Sequence, residues 1–230
     1  MKSLFFSSLL LISFSPLGQK DPVRRLWQVG LCASPDLTYR TIKNKSWSSP
    51  GLMLEDHLLF GYTVGANVHY QLKKQLGVEA GIQYTLMGYG SKGSPTLLSV
   101  HYGVLQLSTL TWRHAYLEIP LKITVQSKGK RIRFTGSVGI APSFFTQERL
   151  QVVSTYMNGS RDTYTDKQPR FLFQLFPFAS TGIAWQTTPR MYFKIEPTFR
   201  YSLFKMDAPA GGSGVRLWNA GMDVGCYYAL

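Results

Sequence analysis

The sequence has few charged residues, few cysteines and almost no long apolar segment. Charged residues make up 16% of its 230 residues, against about 25% in an average soluble domain. The one continuous apolar run covers residues 4–14 and is too short for a membrane-spanning helix, which needs about 20 residues. Together with a mean hydropathy of −0.06, this argues against a helical membrane protein.

The apolar run has the form of a secretory signal. One basic residue, Lys2, precedes it, and small or turn-forming residues follow up to Gln19. We therefore predict a signal peptide over residues 1–19 and a single domain over residues 20–230. The mature protein is then periplasmic, secreted or a membrane barrel.

The excess of basic over acidic residues, which gives a formal net charge of +13, raises the question of nucleic acid binding. The sequence has no zinc pattern, no heptad repeat and no basic helix, and its Lys and Arg residues are spread between loops and strands. A basic surface facing anionic lipid head groups explains the charge equally well. We expect outer-membrane lipid and lipopolysaccharide as partners, and no nucleic acid.

Catalytic and metal-binding patterns are also missing. A barrel lipase would need a Ser and a His together on the lipid face, and none of the 4 histidines falls clearly at such a position. No spacing of His or Cys is typical of a metal site. We expect a protein without enzymatic activity, cofactor or metal.

The segment 116–125 shows the clearest separation of two chemistries. Its aliphatic residues fall on one face of an extended strand, and Tyr116, Glu118, Lys122 and Thr124 fall on the other. A strand of a soluble protein hides the aliphatic face, whereas a membrane barrel turns it towards lipid and places the charges in its lumen. A soluble lipocalin-like binder is the alternative with these faces reversed.

Similar alternation occurs along the whole chain, and the connections are alternately long and short. This pattern is typical of outer-membrane barrels, whose periplasmic turns are short and whose extracellular loops are long. We predict an all-β fold, a transmembrane antiparallel up-and-down β-barrel of about eight strands in the cell outer membrane. The predicted strands cover residues 27–40, 60–70, 76–87, 116–125, 131–145, 171–186, 191–203 and 218–230.

Three features need a structure to interpret them. Residues 146–170 are predicted to be a long polar loop, and residues 88–112 a long connection whose last part has no clear assignment. Four prolines inside predicted strands remove ladder donors, and bulges at these positions would invert the facing of the residues beyond them: Pro120, Pro142, Pro177 and Pro197. Strand parity places Cys32 in the lumen and Cys226 towards lipid, which predicts two free thiols.

The charged residues predicted to face the lumen form the candidate site. We expect Glu79, Glu118, Lys122 and Arg133 to cluster on one wall. A second group, on the other wall, consists of Glu196, Arg200 and Asp223. The full set is Glu79, Glu118, Lys122, Arg133, Lys194, Glu196, Arg200 and Asp223. Because eight strands leave just enough room for side chains to fill the interior, the main interpretation is a plug of paired charges. The alternative is a narrow ion path or ligand cleft.

The C-terminal residues have the order polar, any, Gly, any, any, apolar, any, apolar. This order matches the signal that the barrel assembly machinery reads, by a strand-addition mode of recognition. The matching positions are Asp223, Gly225, Tyr228 and Leu230. Leu230 departs from the usual terminal Phe. We expect that machinery to be a partner during insertion.

The sequence resembles the PorT-like outer-membrane β-barrel family of Bacteroidota. The resemblance is most specific at residues 116–121 and extends over residues 60–70, 76–84 and the Gly-rich last strand. It implies a small outer-membrane barrel, in a family whose namesake is tied to a secretion and gliding apparatus, and it transfers no catalytic residue. We expect a structural or interaction role through extracellular loops that contact a protein partner. The alternatives are a narrow channel or carrier for a small or apolar ligand, and an accessory component of a secretion apparatus.

Overall fold

The computed structural model describes residues 27–42, 52–95, 99–100, 103–129, 131–206 and 214–230. The predicted signal peptide, residues 1–19, lies outside these ranges. The described residues form these strands: β1 (Trp27–Ile42), β2 (Leu52–His57), β3 (Leu59–Gln71), β4 (Leu76–Pro95), β5 (Ser99–Val100), β6 (Gly103–Glu118), β7 (Leu121–Gln126), β8 (Ile132–Tyr156), β9 (Arg161–Gln186), β10 (Met191–Tyr201) and β11 (Val215–Ala229). Among the described residues, no helix is long and apolar enough to cross a membrane.

The strands close into an antiparallel ring. β1 pairs with both β3 and β11, so the first and last strands of the ring are joined. β6 and β7 form one barrel strand that is interrupted at Ile119 and Pro120, and both pair with β4 and β8. β2 and β3 pair with the same edge of β4, β3 with its first half and β2 with its last residues. β5 pairs with the start of β6. The ring therefore has eight strands, and the predicted up-and-down barrel is confirmed.

The register around the ring shows how far the strands are staggered. A path along paired residues leaves β1 at Trp27 and returns to β1 at Leu37, ten residues further on; it passes through Tyr70, Val78, Ile123, Val138, Ala179, Phe199 and Ala220. Strands in such barrels tilt by about 35–45° to the barrel axis, and eight of them leave an interior that side chains can fill.

The two faces of the barrel carry the predicted chemistry. On β6 and β7, Leu117, Ile119, Leu121, Ile123 and Val125 are between 41% and 51% exposed. The residues between them, including Glu118 and Lys122, are buried in the lumen. This is the reverse of a soluble sheet, and it is the arrangement of a membrane barrel.

A cation placed on the lipid face should therefore destabilise the barrel according to its depth. Leu121 lies about midway along the apolar face of its strand, and we expect Leu121→Arg to lower the free energy of unfolding by about 2–4 kcal/mol. Ile132 lies at the periplasmic end of β8, where we expect Ile132→Arg to cost about 0–1 kcal/mol. Urea unfolding in lipid vesicles measures both values. Equal costs for the two variants would contradict the depths assigned to the two residues, and no cost at Leu121 would contradict the assignment of faces.

The hypothesis that the strand prolines invert the facing is wrong. Ile119 and Leu121 are exposed on either side of buried Pro120. Pro142, Pro177 and Pro197 lie in continuous register with their partner strands. Each strand therefore keeps its facing across its proline.

The inversion occurs at a bulge instead. Tyr116 is opposite Phe145, whereas Ala115 is opposite Gln147, so Thr146 is the extra residue of β8. Its hydroxyl donates to the Ala115 carbonyl over 3.1 Å. Beyond this point the even-numbered residues of β8 face inward, as expected when one unpaired residue enters a strand whose side chains alternate.

Four long strands, β4, β6, β8 and β9, extend together with the short strand β2 well beyond the aromatic girdle that Tyr84, Phe144 and Phe173 mark on the lipid face. We call this extension the outer wall. It consists of β2 and of residues 88–95 of β4, 103–115 of β6, 147–156 of β8 and 161–169 of β9. Residues 88–112, the predicted long connection, largely belong to it.

The predicted polar loop over residues 146–170 is wrong, because these residues form a hairpin. β8 and β9 stay paired up to Thr155 and Arg161. The turn is closed by the Tyr156 amide, which donates to the Ser160 carbonyl over 3.0 Å. Gly159 adopts a φ of 81° there, which glycine tolerates at little cost.

The two cysteines lie on opposite faces of adjacent strands. Cys32 is buried in the lumen, where the side-chain amides of Asn67 and Gln83 donate to its sulfur over 3.4 and 3.3 Å. Cys226 is half-buried and pairs in register with Leu31 rather than with Cys32. Both thiols are free, as predicted.

Candidate functional site

The periplasmic half of the lumen contains four charged side chains in mutual contact, which we call the four-charge cluster. Glu79 Oε1 lies 3.1 Å from Lys122 Nζ, and Glu79 Oε2 lies 3.1 Å from Lys194 Nζ. Glu196 Oε2 lies 3.4 Å from Lys122 Nζ and 3.2 Å from Lys194 Nζ. All four residues are buried, so each ammonium bridges two carboxylates away from water.

Hydroxyl donors complete the contacts of the two carboxylates, and a histidine ring lies beside one of them. Tyr227 donates its hydroxyl to Glu79 Oε1 over 2.9 Å, and His69 Nδ1 lies 3.5 Å from Glu79 Oε2. Thr135 donates to Glu196 Oε1 over 2.7 Å. Buried ions are costly unless good geometry and further hydrogen bonds offset the loss of hydration, and this cluster has both.

A second ion pair lies further from the periplasm. Arg200 Nη1 on β10 is 2.6 Å from Glu118 Oε2 on β6, and Arg200 Nη2 donates to Gln83 Oε1 over 3.3 Å. The guanidinium also lies 5.6 Å from the centre of the Phe178 ring. The pair connects opposite sides of the ring.

These contacts correct the predicted grouping of charges on two walls. Glu79 and Lys122 are neighbours as expected, but Lys194 reaches Glu79 from the other side of the barrel. Likewise, Glu118 pairs across the lumen with Arg200. In a barrel this narrow, side chains from opposite strands meet more readily than side chains far apart on one wall.

Arg133 does not lie beside Glu118, contrary to expectation. Glu118 is opposite Ser143 on β8, which is ten residues, or about 33 Å of extended strand, from Arg133. The Arg133 guanidinium lies 5.9 Å from the centre of the Tyr192 ring, near the periplasmic end. Adjacent strands thus place the two charges at opposite depths of the lumen.

Asp223 is buried on β11, opposite Glu196 in register. Together with Lys122 and Arg200 it lines a cavity of only about 10 Å³, the space of about one water molecule. Its Oδ1 atom has no hydrogen-bond partner among the described residues. The lumen at this depth is therefore filled by side chains.

The extracellular half of the lumen is filled by aromatic and aliphatic side chains that sequence reasoning missed. Tyr116 is fully buried, with its ring centre 5.2 Å from that of Phe145 and 5.5 Å from that of Phe176. The members of this aromatic layer are Met87, Tyr89, Trp112, Tyr116, Ala141, Phe145, Phe176, Phe178, Met206, Val215 and Leu217. The sequence did contain one indication of this layer, because Phe176 and Phe178 both fall on the nominally polar face of their strand.

An arginine clamp joins β1 to β2 and β4 of the outer wall, and the sequence did not reveal it. Arg40 Nε and Nη2 donate to both Asp56 carboxylate oxygens over 2.9 and 2.6 Å. Arg40 Nη2 also donates to Ser91 Oγ over 3.0 Å, and the guanidinium lies 4.2 Å from the centre of the Tyr89 ring. Bidentate geometry makes such a pair specific as well as strong.

The sequence comparisons place the chain in a family. The family described as "Outer membrane protein beta-barrel domain" matches residues 18–208. The chain belongs to this family. It is therefore an outer-membrane β-barrel protein, in agreement with the closed ring and the apolar outer face. No curated protein matches the sequence.

Solved outer-membrane barrels resemble this family member in outline. They include Ail, the attachment invasion locus protein of Yersinia pestis (12% identity, TM-score 0.41, 87% of this chain and 97% of that chain). Neisserial surface protein A is similar at 9% identity (TM-score 0.42, 89% and 97% covered). OprG of Pseudomonas aeruginosa is similar at 12% identity (TM-score 0.45, 88% and 94% covered).

The residues predicted as the assembly signal of this barrel protein lie on the closing strand. Asp223 and Gly225 are buried on the lumen side, whereas Tyr228 and Leu230 are exposed on the lipid side. The Leu230 amide donates to the Trp27 carbonyl over 3.0 Å.

Among the described residues, no group of three or more His, Cys, Asp or Glu side chains could hold a metal.

Proposed function

We propose that this outer-membrane barrel is a non-enzymatic interaction protein that binds a protein partner through its outer wall. The observation that carries the proposal is the open edge of β9. Residues 161–169 pair with β8 on one side, and the described pairing of β9 with β10 extends only as far as Phe178. A strand edge of this length that has no neighbouring strand among the described residues offers a row of amides and carbonyls to an incoming strand.

The lumen supports the same proposal. The four-charge cluster and the aromatic layer fill it at two depths, so the barrel acts as a closed support for the wall. The alternative is a narrow channel or carrier for a small or apolar ligand, which would need both layers to open. The resemblance to PorT-like proteins in residues 116–121 supports a narrower form of the proposal, in which the partner belongs to a secretion apparatus.

Conductance and crosslinking test the proposal together. We expect the wild-type protein in planar bilayers to show no more conductance than protein-free bilayers. In intact cells, a photoreactive phenylalanine analogue at Tyr164 on β9, which is 63% exposed, should give discrete protein adducts. The same analogue at Tyr84, which is 38% exposed on the lipid face, is the matched control and should not.

Stable channel openings would favour the channel alternative. Adducts of equal yield at Tyr164 and Tyr84 would show that the wall has no special part in binding, and so would the lack of any adduct at Tyr164.

A further inference from the structure

Three cations lie side by side on the lipid-facing side of the outer wall. Arg113 on β6 is opposite Arg149 on β8, and Arg149 is opposite Lys167 on β9. We call them the cationic row. Directly opposite residues have Cβ atoms about 4.5–5.5 Å apart, so the row spans three adjacent strands with like charges next to each other.

The orientation of the row follows from its neighbours. Trp112 and His114 face inward, since their rings pack against Tyr89, and alternation turns Arg113 outward. Arg149 and Lys167 are exposed. The acids next to them in sequence, Glu148 and Asp166, have the opposite parity.

The rows directly above and below on this face contain no charge among the described residues. They consist of Leu86, Ala115, Gln147 and Pro169 on one side, and of Gly90, Thr111, Gln151 and Thr165 on the other. The ion pairs of the described residues do not include a member of the cationic row. Like charges directly opposite each other destabilise a sheet, and an external anion would offset this.

The depth of the row identifies the kind of anion. Leu117 and Phe144 are exposed on the lipid face. Arg113 lies four residues beyond Leu117 on its strand, and Arg149 lies five residues beyond Phe144. At the strand rise and tilt of a barrel, this is roughly 10 Å above the apolar band. Long basic side chains can turn back towards the interface, which places their charges at the level of the lipid head groups.

We propose that Arg113, Arg149 and Lys167 bind the phosphate groups of a phosphorylated glycolipid in the outer leaflet. Two guanidinium groups supply planar, paired donors that match phosphate oxygens, and the lysine adds a third cation. The acyl chains of such a lipid would extend along the apolar face below, past Leu117 and Phe144. The site rests on the location of the barrel in the outer membrane and is independent of a protein partner at β9.

Lipid retention by the full chain in detergent tests the site. The protein is incubated with bisphosphorylated lipid A, with its dephosphorylated form, or with lipid A and inorganic phosphate, and the bound lipid is counted by native mass spectrometry. We expect the triple variant R113Q/R149Q/K167Q to bind lipid A at least tenfold more weakly than the wild type. Neither protein should retain the dephosphorylated form well.

The matched control removes the same number of charges from the periplasmic side. K73Q/K128Q/R131Q should retain lipid A like the wild type, and heat-dependent gel migration checks that both variants are folded. An equal loss of lipid A retention in the control variant would show that only the net charge matters, and it would overturn the proposal. So would wild-type retention by the triple variant, or a wild type that binds inorganic phosphate but no lipid A.

Discussion

Replacing Glu79 with alanine should lower the free energy of unfolding by about 3–5 kcal/mol, the cost of breaking a buried ion pair from one side. Glu79 contacts two ammonium groups, on Lys122 and Lys194, each 3.1 Å away. Without it, Glu196 alone faces both lysines. An uncompensated cation then remains in a lumen that has little room for water.

Urea unfolding of the reconstituted full chain measures this loss. Glu55→Ala is the control, because Glu55 is an exposed acid on β2 and a surface substitution should stay within about 0.5 kcal/mol. The double variant E79L/K194L removes one charge of each sign and should be less destabilised than Glu79→Ala. A loss below 1 kcal/mol in Glu79→Ala would mean that the cluster contributes little to stability.

Replacing Tyr116 with alanine should also cost about 3–5 kcal/mol, as large-to-small changes of buried aromatic residues do. The side chain is fully buried, its ring packs against Phe145 and Phe176, and its hydroxyl donates to the Met206 sulfur over 3.3 Å. Removing the ring leaves a cavity in the centre of the aromatic layer, whose walls are strands that cannot move inward.

Tyr116→Phe separates the ring from the hydroxyl. It keeps the packing and loses one hydrogen bond to sulfur, so we expect a cost of about 1 kcal/mol or less. Denaturation midpoints of the two variants in the same lipid give the comparison. If Tyr116→Phe were as damaging as Tyr116→Ala, the hydroxyl would matter more than the packing of the layer.

The two layers of the lumen stabilise the barrel by different means. The four-charge cluster joins β4, β7 and β10 by ion pairs across the periplasmic half. The aromatic layer fills the extracellular half, and the arginine clamp above it joins β1 to β2 and β4 of the outer wall. A barrel closed at two depths is a suitable support for a sheet that extends beyond the membrane.

Sequence reasoning identified the barrel strands because their alternation is regular. Met191 to Tyr201 on β10 and the segment 116–125 turn apolar residues to lipid and polar residues inward, as predicted. The hairpin of β8 and β9 was missed, although its turn contains Asn158 followed by Gly159, a dipeptide typical of hairpins. The polar side chains of the hairpin concealed its strands, because above the membrane neither face needs to be apolar.

The partners of the lumen charges could be predicted only in part. Glu79 and Lys122 lie opposite each other on adjacent strands, and that contact was expected. The pairs of Lys194 with Glu79 and of Arg200 with Glu118 were not, since they connect strands on opposite sides of the ring. Arg133 lies at a different depth from Glu118, because ten residues of β8 separate it from Ser143, the partner of Glu118 on that strand.

The segment 116–125 shows what the sequence determined by itself and what only the tertiary structure decided. Its alternation determined which residues face lipid, because successive side chains of a strand point to opposite sides whatever surrounds them. Tertiary structure decided that Tyr116 lies in an aromatic layer, Glu118 against Arg200 and Lys122 between two glutamates. These contacts depend on ring closure and on a stagger of ten residues around the ring, which no single strand encodes.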